Sequence, residues 1–214
     1  MSEKIKILIA DDHAIVREGL KQIVAEEKDL MVGGEAENAN TLMDLLRTEE
    51  WSIVVLDINM PGKSGLEALK EIKQFYPELP VLILSMFGED QYGLRAIKAG
   101  ASGYLKKVSA PTELVSAIKK IVAGGKYINQ SLAERLAEEF GNVKKEFQHE
   151  KLSDREYQIM CNIAIGKSAE IISNDLSISI NTFYSHRNRI LEKMGMKSNV
   201  ELTKYAFQHR LIEI

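Results

Sequence analysis

The chain has 214 residues, a formal net charge of −3 and 45% hydrophobic residues. Its length suggests one or two domains, and a change of pattern after residue 151 favours two. The single cysteine excludes an internal disulfide, and no apolar run is long enough to span a membrane. The first residues lack the apolar stretch and cleavage site of a signal peptide. We therefore expect a cytoplasmic protein that does not associate with membranes.

Strand and helix patterns alternate over the first 123 residues. Apolar runs bounded by turn residues predict five strands, at 4–10, 31–36, 53–57, 81–85 and 103–106. Helical periodicity predicts helices after each of them, at 14–27, 39–47, 65–75, 90–99 and 111–123. Five such units favour an α/β doubly wound five-stranded parallel sheet, because right-handed crossovers place helices on both faces.

The pattern changes beyond this segment. Gly124 and Gly125 end the last helix of the series, and one further helix is predicted at about 130–140. No strand pattern follows residue 151, and four short helices are predicted there, at about 154–165, 169–176, 180–194 and 199–208. These boundaries predict a domain at 1–124, a linker with one helix at 125–151 and a small all-α four-helix domain at 152–214.

Local signals mark two of the four short helices. Ser153 is a good N-cap, and Glu156 stands three residues later, as a capping box requires. Either Ser179 or Asn181 could cap the third helix. Cys161 lies in the apolar stripe of the first helix, where core packing is favoured over redox sensing.

Three carboxylates are predicted to meet at one edge of the sheet. Asp57 ends the third predicted strand, and Asp11 and Asp12 end the first. The carboxyl ends of parallel strands line the crevice where open α/β sheets bind ligands. Because crowded carboxylates repel one another and are costly to bury unpaired, a hard divalent cation is favoured there, and Mg²⁺ suits the oxygen ligands. Taken alone, the acidic pair is also typical of a turn or a helix cap.

Two further polar residues stand at the ends of the remaining strands. Ser85 ends the fourth strand, and Lys107 ends the fifth. Each residue alone is uninformative, because strand-end serines are common and a lysine is usually a solvated charge. Together, a hydroxyl, a cation and a metal ion that face Asp57 predict phosphoryl transfer to that aspartate.

Residues 1–123 resemble the CheY-like receiver domain of two-component response regulators. The matching residues are Asp11-Asp12, Asp57, Asn59-Met-Pro-Gly62, Ser85, Gly100-Ala-x-Gly-Tyr104 and Lys107. The resemblance implies that a sensor histidine kinase phosphorylates Asp57. It also implies that Asp12 and Asp57 bind Mg²⁺ directly, that Asp11 binds it through water, and that the backbone carbonyl of Asn59 completes the protein ligands.

The resemblance also implies a switch beside the acceptor. Ser85 would hydrogen-bond the phosphoryl oxygens, Lys107 would pair with them, and Tyr104 would be the switch aromatic. Seen alone, Tyr104 is more typical of a core residue. The lysine of the family stands three residues after that aromatic, so we select Lys107 rather than Lys106.

An alternative hypothesis is that the chain is a phosphatase of the haloacid dehalogenase type. Such enzymes also use an aspartate at a strand end, with a second aspartate two residues later as the general acid. This chain has Asn59 at that position, and an amide cannot donate a proton as a carboxylic acid does. We therefore do not expect an enzyme that turns over external phosphoesters.

The predicted helix at 180–194 has two different faces. Phe183, Ile190 and Met194 form its apolar face, at helical spacing. The opposite face carries candidate contacts to base edges and, beside them, cations suited to phosphates: Tyr184, Ser185, Asn188, Arg187, Arg189 and Lys193. By itself this pattern also fits an ordinary amphipathic helix with a solvated basic face.

Residues 151–207 resemble the LuxR-type helix-turn-helix domain of NarL/FixJ response regulators. The matching residues include Leu152-Ser153, Arg155-Glu156, Gly166-Lys-Ser168, Leu176-x-Ile-Ser179, Asn181-Thr182 and Ile190-Leu-x-Lys193-Met194. Departures at Glu170-Ile-Ile-Ser173, Phe183 and Tyr184 bear on the preferred DNA sequence. The resemblance implies a transcription factor that binds double-stranded DNA, as a homodimer when active.

Some alternatives stay open at this point. The four-helix domain could instead be a protein- or RNA-binding output. His186 could contact DNA, although packing at the helix boundary is favoured. The other histidines, His13, His149 and His209, do not stand at metal-ligand spacing.

Overall fold

The computed structural model describes residues 4–141, 147–209 and 211–212, without the side chains of 90–91 and 138–141. The chain divides into two compact units, Met1–Ala133 and Glu134–Ile214. The division falls inside the segment that the sequence predicts to be a linker. No helix among the described residues is long and apolar enough to cross a membrane.

The first unit is a five-stranded parallel sheet with a helix after each strand. Its strands are β1 (Ile5–Ala10), β2 (Leu30–Ala36), β3 (Ile53–Asp57), β4 (Val81–Ser85) and β5 (Gly103–Lys106). Its helices are α1 (Ala14–Ala25), α2 (Ala39–Thr48), α3 (Gly65–Phe75), α4 (Glu89–Lys98) and α5 (Ala110–Val122). The strand order is β2-β1-β3-β4-β5, so the order reverses beside β1 and β3 and opens a crevice at their carboxyl ends. The predicted fold class is confirmed.

The buried strands explain why this sheet forms. Every residue of β3 and β4 is buried, as expected for central parallel strands covered by helices on both faces. On one side the core packs between the sheet and the helices α1 and α5, which contribute Leu20, Val24, Leu114, Ile118 and Ile121. Each fully buried side chain of this size contributes about 1.5–3 kcal/mol of hydrophobic stabilisation.

The chain after α5 adds to the edge of the sheet. Tyr127 forms an isolated parallel bridge with Gly103, and its carbonyl accepts a 2.9 Å hydrogen bond from the backbone N–H of Tyr104. The next helix, α6 (Gln130–Gly141), places Leu132 against Gly93 of α4, where Leu132 is only 1% exposed. A Cβ at Gly93 would lie 2.8 Å from a methyl group of Leu132, so the missing side chain permits this contact.

The second unit consists of short helices after a 3₁₀ turn at Gln148–Lys151. They are α7 (Asp154–Ala164), α8 (Ala169–Asp175), α9 (Ile180–Met194) and α10 (Asn199–Gln208). All residues of α7 are buried, including Cys161, which therefore packs in the core as the sequence favours. Gly166 and Gly195 follow α7 and α9 with φ of +84° and +65°, a left-handed conformation that ends a helix at little cost for glycine.

The predicted caps are present. Ser153 and Glu156 form a complete capping box at the start of α7. At α9 the cap is Ser179 rather than Asn181, because the Ser179 side chain accepts a 3.0 Å hydrogen bond from the backbone N–H of Thr182. These caps satisfy backbone donors that have no partner within the helix.

Candidate functional site

The acidic residues meet at the carboxyl edge of the sheet, as the sequence predicts. Asp57 is the last residue of β3, Asp11 directly follows β1, and both side chains are buried, with Asp57 2% exposed. One ligand atom from each of Asp11, Asp12, His13 and Asp57 lies within 4.8 Å of all the others. The strand order produces this cluster because β1 and β3 are hydrogen-bonded neighbours.

The loop after Asp57 returns tightly on itself. Gly65, the first residue of α3, donates a 2.8 Å hydrogen bond to the Ile58 carbonyl. A Cβ at Gly65 would lie 1.9 Å from the carbonyl oxygen of Asp57, which only glycine avoids. The glycine therefore lets α3 begin directly against the strand end that carries the Asp57 carboxylate.

Lys107 bridges two of the carboxylates. Its Nζ lies 2.7 Å from Asp57 Oδ2 and 2.6 Å from Asp11 Oδ2, and its side chain is 8% exposed. Lys107 is the first residue of a 3₁₀ turn at Lys107–Ser109, just beyond β5, and not the strand's last residue as the sequence pattern suggests. The selection of Lys107 as the lysine that faces Asp57 agrees with this contact.

Burial and neighbouring charges together set the pKa values in this cluster. Burial raises the pKa of the Asp57 carboxyl to about 6, although the Lys107 ammonium opposes the rise, and Asp11 adds to it by like-charge repulsion. Burial alone would lower the pKa of Lys107, but Asp57 and Asp11 outweigh it and raise that pKa. The lysine therefore stays charged and compensates carboxylates that would be costly to bury alone.

Two residues at this edge were missed by sequence reasoning. His13 places Nδ1 2.7 Å from Asp12 Oδ1 and 3.3 Å from Asp11 Oδ1, although its spacing did not suggest a ligand role. Arg17, one turn into α1, donates a 2.7 Å hydrogen bond to the Asp11 carbonyl and pairs with Glu35. The available signal was the position of His13 directly after the acidic pair.

The carboxylate set fits a hard cation. The Oδ1 atom of Asp57 is buried and makes no hydrogen bond of normal geometry to the residues that the structure describes. The backbone N–H of Asn59 helps to lower the pKa of Asp57, so the Asn59 backbone lies beside the carboxylate. Carboxylate oxygens that converge on one point, one of them without a good donor, suit a divalent cation with oxygen preference.

Ser85 and Tyr104 act on the same neighbouring residue. Asp57 pairs in register with Leu84, so Ser85 lies one residue further along the adjacent strand. The Ser85 Oγ atom accepts a 3.2 Å hydrogen bond from the backbone N–H of Phe87, and the Tyr104 hydroxyl donates a 3.0 Å bond to the Phe87 carbonyl. Both side chains are buried, and together they hold the loop between β4 and α4.

The second unit presents the two-faced helix that the sequence predicts. Phe183, Ile190 and Met194 are buried on one side of α9, against the rest of the small domain. The opposite side leaves three polar side chains exposed: Tyr184, Ser185 and Asn188. A short turn containing Ser177, with φ of +51°, joins α8 to α9 and completes a helix-turn-helix arrangement. The buried Nδ1 of half-buried His186 favours packing over DNA contact for that side chain.

The three cations predicted to meet phosphates have different surroundings. Lys193 Nζ lies 2.6 Å from a carboxylate oxygen of buried Glu156. Arg187 donates hydrogen bonds to side chains at the surface of the same unit. Arg189 is exposed and makes no hydrogen bond or ion pair with any residue in the described part of the chain. Of the three, Arg189 is therefore the residue most available to a ligand.

These observations define a class of protein: an α/β receiver domain with a buried carboxylate at the end of its central strand, followed by a DNA-binding helix-turn-helix domain. Residues 7–119 match the response regulator receiver domain, and residues 150–206 match the bacterial regulatory proteins of the luxR family. The chain belongs to the NarL/FixJ family of response regulators. It regulates transcription by binding DNA, and its receiver domain implies a partner histidine kinase.

Two relatives extend over nearly the whole chain. The response regulator GacA of Pseudomonas aeruginosa is 34% identical over 210 residues, which cover 98% of each chain. The response regulator UvrY of Escherichia coli K12 is 36% identical over 208 residues, which cover 97% of this chain and 95% of UvrY. Each of these alignments therefore extends over both matched domains of this chain.

Solved structures give the same assignment. A structure of the response regulator RcsB from Salmonella typhimurium has a TM-score of 0.66 at 25% identity and covers 97% of this chain and 98% of its own. A LuxR-family two-component response regulator from Aurantimonas has a TM-score of 0.60 at 37% identity, covering 65% of this chain and 100% of its own. A further structure, with a TM-score of 0.59 at 26% identity over 96% of this chain and 98% of its own, holds two RcsB dimers bound to two parallel DNAs.

Proposed function

We propose that a sensor histidine kinase switches this transcription regulator by transferring a phosphoryl group to Asp57. The observation that carries the proposal is the buried Asp57 carboxylate, whose Oδ2 meets Lys107 while Oδ1 has no good hydrogen-bond donor among the described residues. The carboxylate attacks phosphorus, the bond from phosphorus to the kinase histidine breaks, and the imidazole nitrogen takes its electron pair. The product is an acyl phosphate on Asp57.

Mg²⁺ is the proposed cofactor of this transfer. Asp12 and Asp57 would hold it directly, Asp11 through water, and the backbone carbonyl of Asn59 would complete the protein ligands. When bound, the ion neutralises charge on the acceptor and on the moving group. The converging carboxylates support this ligand set.

The response to phosphorylation would begin at Ser85, Tyr104 and Lys107. A phosphoryl group on Asp57 can accept a hydrogen bond from the Ser85 hydroxyl, which reorients that hydroxyl beside the Phe87 N–H, and it attracts the Lys107 ammonium away from Asp11. The Tyr104 hydroxyl donates to the carbonyl of the same residue, Phe87. A movement of Phe87 that follows a change at Ser85 would therefore also shift Tyr104. The loop between β4 and α4 is thus the proposed two-state element.

In the output domain, we propose that α9 reads DNA. Tyr184, Ser185 and Asn188 would face base edges, and Arg189 would contact phosphate. Lys193 is 41% exposed while paired with Glu156, so it would add charge near the DNA backbone. Arg187, the third predicted phosphate contact, bonds Asn199 and reaches Asn188.

We further propose the domain limits 1–124, 125–151 and 152–214, and a homodimer when the protein is active. The RcsB dimers on DNA support a dimer, because two domains of this size double the contacts made by one. A transcription regulator works where the DNA is, which supports the cytoplasm. Asn59 in place of a general acid supports a protein that accepts phosphate without turning over external substrates.

Phosphorylation of the full chain by acetyl phosphate with Mg²⁺ tests the acceptor. Intact-mass analysis should show one added phosphate on the unchanged protein and none on Asp57→Asn. The matched control is Asp44→Asn, an exposed aspartate of α2 that pairs with Arg47 and should still be phosphorylated. Undiminished labelling of Asp57→Asn would overturn the assignment of the acceptor.

A further inference from the structure

Arg187 joins two parts of the DNA-binding domain through one guanidinium group. Its Nε donates a 2.7 Å hydrogen bond to Asn199 Oδ1, and its Nη1 lies 3.4 Å from Asn188 Oδ1. Asn199 is the first residue of α10, and Asn188 stands on the exposed face of α9. The side chain is half-buried, unlike that of Arg189, which is exposed.

The contact with Asn188 is not a default of helical geometry. Adjacent residues on a helix do not face each other, so the guanidinium has to turn along the surface to reach the next side chain. The shorter bond to Asn199 holds it in that direction. An arginine presents its donors in a rigid fork, so a bond from Nε fixes where the other nitrogens point.

The orientation of the Asn188 amide follows from this contact. An amide has one acceptor end and one donor end, and the acceptor Oδ1 faces Arg187. The donor end, Nδ2, is then free to face a base edge. An amide already held in this orientation loses less side-chain entropy on binding than a freely rotating one.

We propose that Arg187 is a positioning residue for DNA sequence reading, which orients the Asn188 amide so that its donor end faces the bases. This inference rests on the proposed role of α9 and deepens it. The amide donors would select base edges that offer acceptors, such as N7 and O6 of guanine or O4 of thymine, over the amino group of cytosine. Phosphate neutralisation is then left to Arg189 and the nearby Lys193.

The test compares two readouts in the full chain, using a site selected from genomic fragments and random duplex DNA. The first readout is the ratio of the two affinities, and the second is the slope of affinity against salt concentration. Arg187→Lys keeps the charge but lacks the fork, so it should lower the affinity ratio about tenfold and leave the salt slope unchanged. The matched control Arg47→Lys changes an exposed arginine of α2 that pairs with Asp44, and it should keep both.

Variants at the other end of the contact separate positioning from general damage. Asn199→Ala removes the acceptor that holds Arg187 and should reproduce the loss of affinity ratio. Asn199→Asp keeps an acceptor oxygen at the same place and should retain the ratio. In an Asn188→Ala background, Arg187→Lys should cause no further loss, because its effect passes through Asn188.

Three outcomes would overturn the inference. Arg187→Lys could keep the full ratio while Arg187→Gln reduces the salt slope by about one unit, which is the behaviour of a phosphate contact. Arg187→Lys could lower the ratio equally in the Asn188→Ala background, which would place its effect elsewhere. Third, Asn188→Ala could itself keep the full ratio, and the proposed reading role of Asn188 would then fail together with the inference. The first two outcomes would overturn only the inference and leave that reading role intact.

Discussion

The ammonium group of Lys107 lies 2.7 Å from Oδ2 of Asp57, and both side chains are buried. The same ammonium also meets Asp11, so one cation compensates two carboxylates. Removing one member of a buried charge group leaves the others without compensation, which is far more costly than losing an exposed pair. The Lys107 contact therefore stabilises the metal-free receiver domain at the same carboxylate that we propose is phosphorylated.

Lys107→Ala should still accept a phosphoryl group from acetyl phosphate but should respond to it poorly. The acceptor carboxylate remains, whereas the cation that joins the phosphoryl group to the end of β5 is lost. We expect phosphorylation to increase the DNA affinity of Lys107→Ala much less than that of the unchanged protein, measured by fluorescence anisotropy. Lys106→Ala is the matched control and should respond normally, and the reverse ranking would show that the other lysine is the functional one.

Asp12→Ala should remove Mg²⁺ binding without unfolding the protein. Its side chain is 29% exposed and meets His13, so little core packing depends on it, while like charges in the metal-free cluster repel. Isothermal titration calorimetry should detect no binding at millimolar Mg²⁺, and the melting temperature in chelator should not fall. Asp44→Ala is the control, because Asp44 lies on α2 and pairs with Arg47. Unchanged Mg²⁺ affinity in Asp12→Ala would refute the proposed ligand set.

Asn188→Ala and Arg189→Ala should weaken DNA binding in different ways. An amide contact to a base edge discriminates between bases, so Asn188→Ala should reduce binding to the selected site much more than binding to random DNA. Arg189→Ala should weaken both alike and reduce the salt slope by roughly one unit. Titrations of both DNAs at several salt concentrations measure this, and equal losses for Asn188→Ala would argue against reading by that residue.

Lys193→Gln should destabilise the second unit, in a way that depends on pH. Burial alone would raise the pKa of Glu156, but Lys193 and the amide and hydroxyl of Ser153 outweigh it and lower that pKa below its usual range. A carboxyl with a lowered pKa stabilises the fold above its unfolded pKa of about 4.3, and this stabilisation is lost as pH falls through the lowered value. Because Lys193 is partly exposed, we expect a loss of about 1 kcal/mol at pH 7, reduced by solvent screening.

Urea unfolding at pH 7 and near pH 3 measures this effect. The difference in unfolding free energy between Lys193→Gln and the unchanged protein should shrink at the lower pH, as Glu156 becomes protonated in both. Lys197→Gln changes an exposed lysine in the loop before α10 and should have no such effect. A Lys193→Gln variant with unchanged stability and a flatter DNA salt slope would instead make this lysine a phosphate contact.

The carboxylate cluster at the sheet edge could be predicted from sequence because its geometry follows from strand order. Asp11, Asp57, Ser85 and Lys107 each stand at or next to the end of a strand, and parallel strands bring their carboxyl ends to one edge. The two faces of α9 were equally predictable, since Phe183 and its apolar partners recur at helical spacing. In both cases a local period and a simple packing rule were sufficient.

The partners of the charged side chains were decided by the tertiary structure. Sequence spacing assigned Arg187 and Lys193 to phosphates, but folding brings Arg187 to Asn199 and Lys193 to Glu156. These contacts join different helices, and a helical period describes only one helix at a time. A long side chain takes the partner that packing places within its reach, so its role is known only when the neighbouring helix is in position.

The segment predicted to be a linker shows the same distinction between local signals and tertiary contacts. Gly124 predicted the end of one helix, and the helical pattern after it predicted the start of another. The sequence did not show that Leu132 packs against Gly93, or that Tyr127 pairs with the edge of β5. These contacts join segments that become neighbours only in the folded protein. Local propensity and periodicity specify elements, whereas the surface that each element meets depends on residues distant in the chain.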